Sequence, residues 1–298
     1  KSPDALMSAL QKDENLKAIM LQETPWVLEA KSEAEQKAML ANLLDVNTIK
    51  DKTSETLNLI KEKQSVNGGW SWIEGMPENA FITRYILNGF GRLQMMNVIN
   101  SLEKNHQSIV NAITEKAIGF IAEEVVKQYN FIKKENKGKY YYSSSTTNNL
   151  FALSYFDFNH DKEFVTAQNY FIKKLKDDWK KLSFSDQVKI ALILHRNGVT
   201  DTPQLIIKSL KERAQKSETL GMYWAGNDNF FSTASQVNEQ TIIMEAFNEI
   251  NPDTQSLNEM KVWLLCNKRT NMWDNAQATV DAVYALLFDK STSQQDYK

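Results

Sequence analysis

The feature of this sequence that most limits its fold is an alternation between two kinds of helical segment. Charged amphipathic stretches lie near 53 to 65, 107 to 128, 161 to 181, 203 to 217 and 254 to 268. Each is followed by a stretch whose polar residues are mostly small or uncharged, near 79 to 97, 145 to 156, 184 to 197, 232 to 249 and 276 to 289. In one charged stretch Phe164, Tyr170 or Phe171, Leu175, Trp179 and Leu182 recur at helical spacing with Lys and Asp between them, which predicts one buried face. Aromatic turns separate the members: Gly68-Gly69-Trp70-Ser71-Trp72, Tyr140-Tyr141-Tyr142, Gly221-Met222-Tyr223-Trp224 and Asn271-Met272-Trp273. The repeating unit is an αα-hairpin with an aromatic plug.

Helices charged on one face belong outside, whereas Thr241 to Ile250 and Thr279 to Leu287, rich in Ala, Thr, Val and Leu, suit an inner ring touched on both sides. Five hairpins plus a helix near 33 to 46 approach six pairs. An open stack would leave apolar inner faces bare at its ends, so the expectation is an all-α chain forming an α/α toroid like that of terpenoid cyclases and protein prenyltransferases. An open solenoid is the alternative, because periodicity does not show closure. Ten Gly and five Pro in 298 residues are too few for the turns of an all-β sandwich. Ser2-Pro3, Thr202-Pro203 and Asn251-Pro252 read as N-caps with Pro at the first helical position. No linker or charge block divides the chain, so residues 1–298 read as a single toroid domain.

A formal charge of −2 gives no electrostatic case for binding nucleic acid. No stretch approaches the roughly 18 apolar residues of a membrane span, so direct membrane insertion is not expected. The start, Lys1-Ser2-Pro3-Asp4, lacks an initiator Met and a hydrophobic signal core, and reads as a fragment of a much larger precursor. Metal and cofactor are not expected: Cys266 is the one cysteine and His106, His160 and His195 are the three histidines. Cys266, with no activating neighbour, reads as a small buried hydrophobe on a helix. His106 and His160 read as caps or surface residues. His195, at a helix C-terminus, is the one histidine to consider for a site.

Carboxylates near inner-helix starts are Glu74, Glu78, Asp157, Asp161, Asp186, Glu239, Asp274 and Asp281. They form no dense cluster and read as solvated caps, so no catalytic residue is assigned. A toroid glycosidase or lyase would need two or three of them converging with aromatics such as Trp70, Trp72, Tyr140 to Tyr142 and Trp224 in one pocket. The aromatics read more simply as plugs between hairpins. In Gln64-x-x-x-Gly68-Gly69-Trp70 two glycines permit a tight turn while Trp covers the hairpin end.

The stretch KVWLLCNKRTNMWDNAQATVDAVYALL, residues 261 to 287, resembles the last helical repeat of the thioester domain in alpha-2-macroglobulin-family proteins. The matching residues are Trp263, Leu264, Arg269, Trp273, Gln277, Thr279, Ala285 and Leu286. The departures are Asn271-Met272, where Gly-Gly is common, and Ala278, where Asp is frequent. Upstream, QETPWVLEAKSEAEQKAMLANLLD and NGGWSWIEGMPENAFITRYILNGFGRL are similar to parts of bacterial, Bacteroides-like members. The resemblance implies an α/α toroid with packing roles for Gly68, Gly69, Trp70, Trp263, Leu264, Arg269, Trp273, Gln277 and Thr279. It implies a periplasmic or outer-envelope parent, lipid-anchored in some bacteria, whose partners are proteases and the other domains of the same polypeptide. Such proteins trap proteases through a Cys-Gln thioester in a Cys-x-Glu-Gln motif. This chain has none: Glu239-Gln240 and Glu35-Gln36 are preceded by Val237 and Glu33 where the cysteine belongs. Without that cysteine there is no electrophile to transfer, so the chain itself is expected to be inert. A carbohydrate-active toroid enzyme and a noncovalent binding or structural toroid are the alternatives.

Overall fold

The computed structural model describes residues 45–134, 142–159, 161–224, 236–268, 273 and 275–288. Among them are eleven α-helices: α1 (Val46–Glu62), α2 (Ala80–Met95), α3 (Val98–Ser101), α4 (Lys104–Lys134), α5 (Ser144–Leu153), α6 (Lys162–Asp178), α7 (Phe184–Arg196), α8 (Asp201–Glu212), α9 (Gln236–Ile250), α10 (Thr254–Cys266) and α11 (Ala276–Leu286). A 3₁₀ turn, Trp179–Lys181, follows α6, and a two-stranded antiparallel hairpin, β1 (Gln215–Ser217) and β2 (Gly221–Tyr223), precedes α9. The described residues are all-α apart from that hairpin. The helix expected near 33 to 46 and the cap Ser2-Pro3 lie outside the described residues, apart from the start of α1.

The two kinds of helix occupy two layers. The low-charge helices α2, α5, α7, α9 and α11 pack against one another in that order. The charged helices lie over them: α4 rests on α2 and α5, α8 on α7 and α9, and α10 on α9 and α11. Neighbouring charged helices also touch, α1 with α4 and α4 with α6. The core between the layers includes Leu87, Ile121, Phe164, Ile190, Leu194, Ile206, Leu210, Phe247 and Leu264, all essentially fully buried. On α6 the buried side chains are Phe164, Ala167, Phe171 and Leu175, a one-faced pattern with solvated Lys between.

Helix starts follow capping chemistry. Asp45, Asn79, Ser143, Asp161, Ser183, Asp253 and Asn275 each accept a hydrogen bond from a first-turn backbone N–H. Two starts differ from the Pro rule. The cap of α10 is Asp253 rather than Asn251, because its carboxylate takes both the Ser256 N–H and the Ser256 hydroxyl. The Lys211 ammonium first, and then Ser256, hold that carboxyl well below the usual range. Helix α8 begins at Asp201, so Pro203 is its third residue, still within the first turn where backbone N–H groups have no helical acceptor. The expected helix near 203 to 217 stops at Glu212, and 215–217 form β1 instead. Ser217 Oγ accepts from the Thr219 and Leu220 N–H groups and turns the chain. Gly221, at φ 71°, then brings β2 onto α10, so close that a Cβ there would sit 2.0 Å from the Glu259 carbonyl oxygen.

The aromatic turns close the hairpins by a shared device. The last carbonyls of a helix lack helical donors. Near the ends of α1, α8 and α10, an indole N–H supplies one: Trp70 to Ile60 O at 2.8 Å, Trp224 to Leu210 O at 2.9 Å, and Trp273 to Leu264 O at 2.9 Å. All three rings are buried. The Trp70 backbone N–H donates to Thr83 Oγ1 on α2, and that of Trp273 to Thr279 Oγ1 on α11, which ties each turn to its inner helix. Replacing Trp273 by Phe removes the donor and, with it, the second ring of a fully buried indole. The expected loss is about 1–3 kcal/mol in urea denaturation, and an unchanged midpoint would show that the indole bond is not a cap.

Candidate functional site

Polar side chains of the low-charge helices meet in two clusters. At the N-terminal ends of these helices, Arg84 Nη1 of α2 donates to Asn149 Oδ1 of α5 at 2.7 Å and Ser145 Oγ at 3.2 Å. Lys189 Nζ of α7 donates to the adjacent Asn148 Oδ1 at 2.8 Å. Asp186 Oδ2 accepts from Ser144 Oγ at 3.2 Å and Ser183 Oγ at 2.6 Å. Glu239 of α9 is half-buried beside them. Burial lowers the Arg84 and Lys189 pKa values; Asp186 and Glu239 oppose the shift at Lys189, and Arg84 adds to it. Burial raises Glu239, with Lys189 opposing.

Toward the C-terminal ends lies a denser cluster built from α2, α7, α9 and α11 and the end of α5. Glu245 of α9, fully buried, accepts from Arg196 Nη2 and from Tyr155 Oη, each at 2.5 Å. Arg196 also forks onto Glu249, Nη2 to Oε1 at 2.5 Å and Nε to Oε2 at 3.0 Å, and its Nη1 reaches Ser154 Oγ at 3.1 Å. Its guanidinium lies 4.1 Å from the Tyr155 ring centre. Arg92 Nη1 of α2 bonds Asp281 of α11, and Arg92 Nε is 3.8 Å from Glu245 Oε2. Asn238 Nδ2 holds the second Asp281 oxygen at 2.6 Å. Tyr155 can approach because Gly91 of α2 has no side chain: a Cβ there would fall 2.5 Å from its ring.

Burial alone would lower both guanidinium pKa values. Tyr155, Asp281 and Glu245 outweigh it at Arg92, and Glu245, Tyr155 and Glu249 at Arg196, so both stay charged. Burial and the Glu245 charge push the Tyr155 and Tyr284 phenols up. Three carboxylates therefore converge with aromatics, the condition set for a toroid enzyme, yet each is bonded to an arginine. Glu245 has no solvent contact through which to exchange a proton with a substrate.

Of the expected carboxylates, only Asp281 joins this cluster, and Asp186 and Asp281 are buried rather than solvated, at 6% and 2% exposure. Asp281 is held by Arg92 and Asn238 of neighbouring helices, and Asp186 by the Ser183 cap of its own helix together with Ser144 of α5. Asp161 caps α6, Asp157 is exposed, and exposed Glu74 sits 3.6 Å from the Lys63 ammonium. Glu78, half-buried, is held below the usual carboxylate range by its own backbone N–H, Ser65 and Asn67. Asp274, His160 and Arg269 lie outside the described residues. His106 is buried rather than superficial, its Nε2 2.6 Å from Ser54 Oγ. His195 is half-buried at the end of α7, and the cluster is built without it. Cys266 is exposed, not buried; its thiol lies 3.6 Å from the Thr219 carbonyl oxygen.

The residues behind the family resemblance mark hairpin ends. Gly68, at φ 93°, leaves no space for a Cβ, which would meet Lys116 O at 2.1 Å, and a Cβ on Gly69 would meet Glu78 at 2.8 Å. Gln64 Nε2 bridges Gly68 O and Ile113 O, both at 2.9 Å. Trp263 is buried and stacks on Tyr223 at 6.2 Å. Gln277 is exposed at the start of α11, away from the packing role the resemblance implies. Trp72 is no plug: it is 63% exposed beside Phe81, at 6.1 Å between ring centres. Tyr142 is half-buried and accepts from Thr147 Oγ1, while Tyr140 and Tyr141 lie outside the described residues.

A separate groove of about 650 Å³ runs between α4 and the 156–164 segment. Its acids are Glu115, Glu123, Asp157, Asp161 and Glu163. Among the described residues no group of His, Cys, Asp and Glu has the arrangement of a metal site, and no helix is long and apolar enough to cross a membrane. Compared with known proteins, the chain matches no family model and no curated protein.

The signal missed in the sequence is a charge inside a low-charge helix. Arg92 follows buried Gly91 near the end of α2, and Glu245 in Met244-Glu245-Ala246 interrupts a segment that is otherwise buried; such positions need partners. The two tyrosines separate the bonded from the unbonded part of the cluster. Tyr155→Phe removes a hydrogen bond to a charged acceptor and is expected to cost about 1.5–3 kcal/mol. Tyr284→Phe removes a buried hydroxyl that has no hydrogen-bond partner among the described residues, and is expected to be neutral or stabilising in the same urea titration. Equal losses for both would contradict this assignment.

Proposed function

We propose that this chain is the helical domain of an alpha-2-macroglobulin-type protein, folded as an α/α toroid, and that it serves protease trapping in the cell envelope without chemistry of its own. The observation carrying the reading is the repeated hairpin end. Gly68-Gly69-Trp70 and Trp273, on which the resemblance rests, make the same indole and backbone bonds at opposite ends of the described chain. The toroid draws support from the Arg92–Asp281 ion pair, which joins the first and last described inner helices. The noncatalytic role draws support from the missing cysteine. Val237 stands two positions before Glu239-Gln240, and Gln240 is buried with its amide donating to Met222 O at 2.9 Å. The locked carboxylates of the inner cluster argue against the glycosidase alternative.

The reading is tested on the full-length parent, incubated with a broad-specificity protease with and without prior methylamine. A trap holds the cleaving protease through gel filtration while leaving it active on a small peptide substrate. Loss of retention after methylamine, with a new free thiol, assigns a thioester elsewhere in the parent; retention unaffected by methylamine assigns noncovalent capture. Cleavage of the parent with no protease retained contradicts the proposal.

A further inference from the structure

We propose that the N-terminal mouth of the inner helices binds a carboxylate group through Arg84 and Lys189, a site independent of the family reading. The inner cluster shows how this fold treats a buried cation: Arg92 and Arg196 each receive carboxylates. Arg84 and Lys189 do not. Arg84 is 9% exposed, and its bonds run only from Nη1 to two neutral oxygens, on Asn149 and Ser145. Lys189 bonds only the neutral Asn148 amide oxygen. Among the described residues, neither cation lies within ion-pair distance of a carboxylate. Leaving a desolvated charge without its counter-ion is costly, and an anion held between the two heads relieves that cost.

Adjacent positions on α5 gather the site. Asn148 and Asn149 draw Lys189 from α7 and Arg84 from α2 to the same end of the ring, and exposed Ser144 and Ser145 add hydroxyls beside them. The Nε and Nη2 donors of Arg84 make no hydrogen bond to described residues, which leaves a planar two-point fork suited to a carboxylate. Buried polar atoms on α2 and α9 also lack partners among the described residues: Asn88 Oδ1, one turn on from Arg84, and Thr241 Oγ1, just past Glu239, with Thr241 itself fully buried. Such atoms call for solvent or for polar groups of a bound molecule.

The charges facing the pair decide the class of anion. Asp186 and Glu239 act on Lys189, and Glu124 acts on Arg84. Asp186 Oδ2 is occupied by two serine hydroxyls, and Glu239 acts on Lys189 without lying within ion-pair distance of it, so these carboxylates offset the two cations without bonding them. Because these carboxylates stand nearby, a singly charged anion is favoured there over a doubly charged phosphate. The group recognised is thus a carboxylate, whether of a small free organic acid or of a peptide C-terminus.

The test titrates the 298-residue chain, by amide NMR and calorimetry at constant ionic strength, with acetate, succinate, trialanine, trialanine amide and inorganic phosphate. Expected is saturable binding of at least one free-carboxylate probe, with trialanine amide inactive and phosphate weaker. Trialanine binding above acetate and succinate assigns a peptide C-terminus, and the reverse order assigns a free acid. Lys189→Met and Arg84→Gln should each weaken that binding tenfold or more, while Lys180→Met, at an exposed position, leaves it unchanged. Should Arg84→Gln fail to fold, Lys189→Met and the wild-type shifts at residues 144–149 carry the test. No saturable binding beyond chloride, phosphate binding at least as tight as the carboxylates, or full affinity in Lys189→Met would overturn the proposal.

Discussion

The structure depends on how charges are neutralised within the layer of low-charge helices. Glu245, Glu249 and Asp281 carry three negative charges against two positive charges on Arg92 and Arg196. Asn238 bonds the second Asp281 oxygen, Tyr155 adds a bond to the Glu245 oxygen that Arg196 already holds, and Glu245 Oε2 has no hydrogen bond among the described residues. A buried ion pair is weak evidence for net stability, since a well-packed apolar replacement can do as well. Its value is geometric. Each carboxylate accepts only from set directions, so the cluster fixes the relative height and rotation of α2, α7, α9 and α11 in a way that interchangeable aliphatic contacts do not. Removing one partner strands the other in a low-dielectric interior, and that asymmetry keeps the arrangement single-valued.

Around that axis, each hairpin is finished locally. The indole caps on α1, α8 and α10 use an aromatic side chain both as a hydrophobic lid and as the donor that a helix end lacks. The glycines have a complementary role. Gly68 and Gly221 take left-handed backbone conformations while pressed against the carbonyl oxygens of Lys116 and Glu259, so neither position has room for a side chain. These two constraints account for aromatic and glycine residues recurring together between helices of different charge. The ends of the hairpins are thereby rigid, and the N-terminal mouth is held by short polar bonds rather than by large side chains.

Much of this was legible in the sequence, for a physical reason: amphipathic period and residue type report burial directly. The charged and low-charge segments near 107 to 128 and 184 to 197 correspond to α4 and α7, and the turns with Trp70, Trp224 and Trp273 are the plugs. What was not legible depends on contacts between segments far apart in the chain. Asp281 looks like a cap until Arg92, 189 residues away, is placed against it. His106 looks superficial until Ser54 covers it, and Cys266 looks buried until its helix is seen to turn it outward. The β1–β2 hairpin was missed because a charged, periodic segment continues past Glu212 in composition while Ser217 and Gly221 redirect the backbone. Arg84 and Lys189 carried no motif; their significance lies in what fails to pair with them.

The most direct test of the central claim is a double-mutant cycle in urea denaturation across Arg92 and Asp281, using Arg92→Met, Asp281→Asn and the pair. If the ion pair ties the first described inner helix to the last, each single change is strongly destabilising and the double mutant recovers more than about 1 kcal/mol of the summed loss. Additivity within about 0.3–0.5 kcal/mol would show that the two side chains do not act on each other. The first and last described inner helices would then be held in place by their other contacts rather than by this pair.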